Sequence, residues 1–221
     1  MSQHHIIDAR QHELQKPDEL VKADLAVRGY QMKIAVVQAS SQISKNELLF
    51  QYTKEYAKDS EVINYGCFSD DSNNYSYLEI ALLIGILINE KLVDFVVTGC
   101  SSGQGMMLAC NSMPGVLCGY APTPKDAYLF GQINNGNVIS LPLGEEYTYA
   151  GDKNLEETIK ALFSEPFGGG YPKSEAKRKI ADANQLKVMR AKSQISFESF
   201  LNELDDELIT KVRCLKERAK H

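Results

Sequence analysis

From Met32 onward, apolar runs of strand length alternate with segments of helical period, and that alternation leaves few folds open. Strands are expected near residues 33–38, 61–65, 94–98, 116–120 and 138–142, with helices between them. Strands separated in this way pair in parallel, and helices cover both faces of the sheet. The expected architecture is a doubly wound, Rossmann-like α/β domain of three layers and about five strands, spanning 32–170. Residues 77–89, a nearly unbroken apolar stretch behind a polar turn, should form its most buried helix.

The flanks read differently. Residues 1–31 are polar and without a clear apolar period, and are expected to be an extension, disordered or a mobile arm, with Met32 as the biological start. Residues 171–221 form a C-terminal helical segment. Phe197, Phe200, Leu201, Leu204, Leu208, Val212 and Leu215 recur there at helical spacing, as expected of one long amphipathic helix. That stripe needs a surface to cover, either a second subunit in a homodimer or its own domain.

Composition narrows the chemistry. The 221 residues carry a net charge of −5 and no basic run, which argues against nucleic acid as a partner. The longest apolar stretch is too short for a bilayer, so no membrane partner is expected. The five cysteines make no CxxC pair and no secretory signal opens the chain, which points to the cytoplasm and to no metal site. Histidine is confined to His4, His5, His12 and His221, and arginine is absent between Arg28 and Arg178. An anion site in the central domain must therefore use backbone N–H groups, hydroxyls or lysines, or borrow from the C-terminal segment.

Ligands of such sheets bind beyond the carboxyl ends of the strands, where the strand order reverses. For an order 2-1-3-4-5, the loop after strand one, Ala39 to Asn46, faces the loop after strand three, Cys100-Ser101-Ser102-Gly103-Gln104-Gly105. The second of these runs from a strand into a helix N-terminus, where free N–H groups attract anions. Cys100 has three readings: an inert buried thiol, a redox or covalent nucleophile, and a base that abstracts a carbon-bound proton. Its place at the mouth of a glycine-rich turn favours a reactive role, whereas Cys110 and Cys118, within apolar segments, read as inert. A dinucleotide fingerprint is not supported, because Leu108 stands where a third glycine would. The turn reads instead as an oxyanion nest with the Ser102 hydroxyl beside it. Asn134 and Asn137, in the loop Gly131 to Asn137, could hold sugar hydroxyls, although Asn and Gly also simply make turns.

Between Met32 and Ile180 the chain resembles the type B ribose-5-phosphate and galactose-6-phosphate isomerases. The cysteine turn, Cys110-Asn111-Ser112, Pro114-Gly115-Val116, Asn134-Asn135-Gly136-Asn137-Val138-Ile139 and Phe167-Gly168-Gly169-Gly170 stand in the order and spacing of that family's motifs. The resemblance implies a cofactor-free, metal-free aldose–ketose isomerase working through an enediolate on a small sugar. It implies Cys100 as the base, Ser102 beside the enediolate, Gly103 and Gly105 shaping the anion hole, and Asn134 binding substrate hydroxyls. Ser40, Ser41, Ser101, Gln104 and Asn137 join these as candidate substrate-binding residues.

Three departures point one way. The family's Asp-His after strand one is Ala39-Ser40 here, its ring-opening histidine is Ile133, and its phosphate-associated Arg-His is Tyr171-Pro172. Either the substrate needs neither ring opening nor an arginine clamp, or the chain is an inactive sugar-binding or regulatory homologue. Ser41-Gln42-Ile43-Ser44-Lys45-Asn46 resembles the pattern of a subgroup in which some members isomerise 4-deoxy-5-keto-uronates. That substrate has a carboxylate and no phosphate, and the resemblance makes Lys45 a candidate anchor, although its spacing alone reads as a solvated lysine in the first turn of a helix.

Overall fold

The computed structural model describes residues 31–221. Apart from Gln31, the expected extension over 1–31 lies outside the described residues. Five parallel strands form one sheet: β1 (Met32–Val37), β2 (Ser60–Gly66), β3 (Phe95–Cys100), β4 (Cys118–Tyr120) and β5 (Val138–Pro142). Their order is β2-β1-β3-β5-β4, not 2-1-3-4-5. The physical reason is length and burial. β4 has three residues and pairs only with β5, as suits a sheet edge, while all five residues of β5 are buried. The reversal between β1 and β3 is the same in both orders.

Alternate side chains of the strands feed two cores, as a sheet covered on both faces requires. Ala35, Val37, Val96 and Val138 pack on one face against α2 (Tyr77–Asn89) and α3 (Gln104–Asn111). Ile34, Val36, Phe95, Val97, Ile139 and Leu141 pack on the other, against α1 (Asn46–Tyr56), α4 (Pro124–Leu129) and α5 (Gly151–Leu162). In α2, every residue from Ile80 to Leu87 is buried. Its start is fixed by a capping box, in which Ser76 Oγ accepts from Glu79 N–H and the Glu79 carboxylate accepts from Ser76 N–H.

The C-terminal segment contains α6 (Ala176–Ser193), α7 (Phe197–Asn202) and α8 (Asp206–Lys216). The single long helix expected over 197–215 is two helices, because the Asp205 carboxylate accepts from Glu207 and Leu208 N–H and caps a new start. Its apolar stripe packs on its own domain: Val212 and Leu215 are fully buried, and Phe197, Phe200, Leu201, Leu204 and Leu208 lie against the same core as α2.

Candidate active site

Three loops meet beyond the carboxyl ends of β1, β2 and β3 and line a cavity of about 760 Å³. The first supplies Ala39, Ser40 and Ser41, the second Asn74, Tyr75, Ser76, Tyr77 and Glu79, and the third Cys100, Ser101, Ser102 and Gly105. The cavity sits at the β1/β3 reversal, where a doubly wound sheet leaves a crevice.

The cysteine turn is held by close backbone contacts. A Cβ on Gly99 would lie 2.4 Å from the Leu141 carbonyl oxygen, so only glycine admits β5 at this distance. Gly103 caps α3 with φ +75°, and its carbonyl accepts from the Ser140 hydroxyl at 2.7 Å. The Leu143 and Gly144 N–H groups donate to the Cys100 and Ser101 carbonyls at 3.0 and 2.9 Å. Cys100 ends β3 at 8 % exposure and lines the cavity, with α3 starting four residues on at Gln104. That geometry places a thiol and a turn of N–H donors on one wall.

The loop after β1 is fastened to its surroundings by its own polar side chains. Gln42 Nε2 donates to Ser101 Oγ at 2.9 Å, which joins the β1 and β3 loops directly. Asn46 Nδ2 donates to Gln38 Oε1 at 2.7 Å and to Asn64 Oδ1 at 3.0 Å, and Asn64 Nδ2 returns a bond to Asn46 Oδ1 at 2.8 Å. All three amides are buried. Ser40 is tied to the second loop: its hydroxyl accepts from Tyr75 N–H at 2.7 Å, and its own N–H donates to the Tyr75 carbonyl at 3.0 Å.

Cys67, Cys110 and Cys118 are buried away from the cavity. Burial pushes Cys67 up to about 11, despite a hydrogen bond with Ser40 that opposes the shift. Burial, reinforced by Cys110 beside it, raises Cys118 far above the ordinary thiol range. Cys110 is itself fully buried in the core. For Glu79 burial alone would raise the carboxyl, yet hydrogen bonds from Lys211 and Ser76 outweigh it and hold the group below its ordinary value.

Of the residues singled out from sequence, Ser40, Ser41, Cys100, Ser101, Ser102 and Gly105 line the cavity, and Gly103 shapes the turn beneath it. Gln104 opens α3 and is exposed outside the lining. Lys45 also stays outside the lining, since its ammonium pairs with Asp152 at 2.6 Å. Asn134 lines a separate concavity of about 370 Å³ with Cys118, Tyr120 and Asp126. Both ends of the Asn137 amide are spent on the backbone, accepting from Leu117 N–H at 2.8 Å and donating to the Gly115 carbonyl at 2.9 Å. The second wall, Asn74 to Glu79, was missed, although Ser76-x-x-Glu79 before an apolar run is a readable helix start that placed this loop at the mouth of α2. Among the described residues no cluster of His, Cys, Asp and Glu has the makings of a metal site, and no helix is long and apolar enough to cross a membrane.

The ribose/galactose isomerase family model matches residues 34–181, which takes in β1 from Ile34 on, β2 to β5 and every residue that lines the cavity. The chain belongs to this family. It is accordingly a sugar isomerase of the aldose–ketose class. It is similar to the crystal structure of a 4-deoxy-L-threo-5-hexosulose-uronate ketol-isomerase complexed with a tartrate, at 39 % identity and a TM-score of 0.77 over 82 % of this chain and 86 % of that one. A ribose-5-phosphate isomerase from Vibrio parahaemolyticus is 36 % identical, with a TM-score of 0.76 over 82 % and 87 % of the two chains. The type B ribose 5-phosphate isomerase of Trypanosoma cruzi shares the fold at 22 % identity and a TM-score of 0.61, over 74 % of this chain and 99 % of that one. A comparison with curated proteins gives no match.

Proposed function

We propose that this isomerase acts on a non-phosphorylated keto-uronate, with Cys100 as the group that moves the proton. The observation that carries the reading is the lining of the cavity: hydroxyls, amides and one thiol, with no lysine, arginine or histidine among its described residues. Its one carboxylate, Glu79, is already paired with Lys211. A phosphate dianion calls for bidentate or multiple cations, whereas a carboxylate and a row of sugar hydroxyls can be held by neutral donors. The 39 % identity to a uronate ketol-isomerase supports the same class.

In the proposed reaction the Cys100 thiolate takes the proton from the carbon beside the carbonyl, and the carbonyl oxygen gains charge as the enediolate forms. N–H groups of the Ser101–Gly105 turn and the Ser102 hydroxyl face that charge. The thiol then returns the proton to the neighbouring carbon while a proton passes between the two oxygens, so the product is an isomer and nothing is consumed. The step requires no cofactor. Asn134 enters only through a second copy of the chain, in a homodimer whose site is completed across the interface. Five free cysteines, four of them buried, suit work in a reducing cytoplasm.

The ribose-5-phosphate reading is favoured by the 36 % identity to the Vibrio enzyme, and it calls for cations such as Lys173, Lys177 or Arg178 from a partner. Turnover of 4-deoxy-5-keto-uronates and of ribose 5-phosphate, compared by kcat/KM on the full chain, separates the two. Preference for the uronate is expected, and preference for the sugar phosphate would overturn the substrate assignment.

A further inference from the structure

The second wall of the cavity joins the first turn of α2 to the end of a loop, residues 67–76, that carries no strand or helix of its own. What holds it comes from the far end of the chain. The Lys211 ammonium on α8 donates to the Asn74 carbonyl at 3.2 Å, pairs with Glu79, and lies 5.2 Å from the centre of the Tyr75 ring. Seven residues further on, just past the end of α8, Arg218 pairs with Asp71, whose side chain is 1 % exposed and whose other oxygen accepts from Phe68 N–H at 2.9 Å. Lys220 sits 3.8 Å over the Phe68 ring, and its backbone exchanges hydrogen bonds of 2.7 and 2.8 Å with Asn64 on the outer edge of β2.

On its inner side the same loop is bonded to Ser40 through Tyr75, so it is held between the cavity floor and α8. These contacts are not needed to dock the helix. Val212 and Leu215 are fully buried and anchor α8 by themselves, while ion pairs with an exposed partner add little to stability. Their effect falls on the loop, whose other bonds to the domain lie at its two ends, Gln38 on the Cys67 carbonyl and Ser40 on Tyr75. Lys211 and Arg218 also lie beyond residues 34–181, the span common to the family.

We propose that Lys211 is a positioning residue: with Arg218 it straps the Asn74–Tyr77 wall against the cavity, so a segment outside the common domain sets how tightly substrate is gripped. The catalytic turn is untouched by the strap, and its loss should therefore appear in KM more than in kcat. The part of the test that uses turnover rests on the proposed reaction, and the rest does not.

The test compares full-length wild type with Lys211→Met and Lys211→Arg. Amide exchange of residues 67–77 and the rate of Cys100 alkylation by iodoacetamide are read without substrate, beside Tm. For Lys211→Met, faster exchange in that loop, several-fold faster alkylation and a Tm close to wild type are expected, while Lys211→Arg restores wild-type behaviour. With the keto-uronate, KM of Lys211→Met should rise by about tenfold, short of the roughly 100-fold that an ångström of misplacement costs at a reacting centre, with kcat little changed. Should Lys211→Met drop Tm sharply, Arg218→Met combined with Asp71→Asn, which leaves no buried charge unpaired, provides the same readouts from the other clamp. Exchange and alkylation equal to wild type in both variants would overturn the proposal. If wild type turns over no keto-uronate while the loop readouts respond, the strap stands and the proposed substrate falls.

Discussion

Replacing Asn46 by alanine tests the amide network that holds the β1 loop. The Asn46 side chain is 6 % exposed and makes three hydrogen bonds, at 2.7, 3.0 and 2.8 Å. Alanine removes them and leaves Gln38 Oε1 and Asn64 Nδ2 without partners, on residues that are 0 and 3 % exposed. An orphaned buried polar group costs about 1–3 kcal/mol, so the pair should cost from about 2 to 6 kcal/mol, centred on about 4. For a domain of this size that centre corresponds to a Tm lower by roughly 8–16 °C. Neighbouring amides cannot simply turn over to compensate. Gln38 Nε2 is committed to the Cys67 carbonyl at 2.9 Å, and Asn64 Oδ1 accepts from Gly66 N–H at 3.0 Å. Asn46→Asp should therefore be as damaging as alanine at pH 7, because a carboxylate cannot donate to the two oxygens it faces, and should recover partly as acid returns one donor. Thermal and urea unfolding followed by circular dichroism measure both. A loss below about 1 kcal/mol for alanine, or an aspartate as stable as asparagine at pH 7, would refute the network.

Gly99→Ala forces a Cβ to 2.4 Å from the Leu141 oxygen and 2.7 Å from Leu143, and should cost about 1–3 kcal/mol while cutting kcat/KM more than its Tm implies, since Cys100 is the next residue. Thiol labelling of the native protein, read by peptide mass spectrometry, should find exposed Cys214 first, with Cys67, raised to about 11, and Cys118 labelled only on unfolding. Glu79 is held below its ordinary value of 4.5, so its contribution to stability is present above that value and is lost as pH falls through the lower folded one. Lys211→Met should flatten that part of the acid-unfolding curve, and an unchanged curve would remove the assigned cause.

The fold was largely legible because each strand is short, apolar and bounded by polar turns, and because Ile80 to Ile88 is apolar all round, as a helix buried between sheet and outer helices must be. Strand order was less so. Nothing in the pattern of β4 and β5 distinguishes a three-residue edge from a central strand, and their places are set by contacts far apart in sequence. The apolar stripe from Phe197 to Leu215 announced a buried surface but not a break, which depends on one carboxylate, Asp205.

At the site, Cys100 and the serines were readable from local order, since strand, glycine turn and helix start are local features. Lys45 illustrates the limit. Its spacing alone read as a solvated lysine and the resemblance as an anchor, but whether a lysine is free or paired depends on Asp152, 107 positions later. Gln42 shows the reverse, for its motif was visible and only the structure gives its task, a bond to Ser101 across the crevice. The strap from Lys211 had no sequence signal, as its partners are separated from it by more than 130 positions.

The proton transfer itself is tested most directly by following deuterium from solvent into the sugar by NMR, with wild type and Cys100→Ala side by side on a 4-deoxy-5-keto-uronate. Wild type should place deuterium at the carbon next to the carbonyl as it isomerises the sugar, and Cys100→Ala, still folded by circular dichroism, should place none above the uncatalysed rate. Exchange that persists in Cys100→Ala would contradict the assignment of Cys100 as the base.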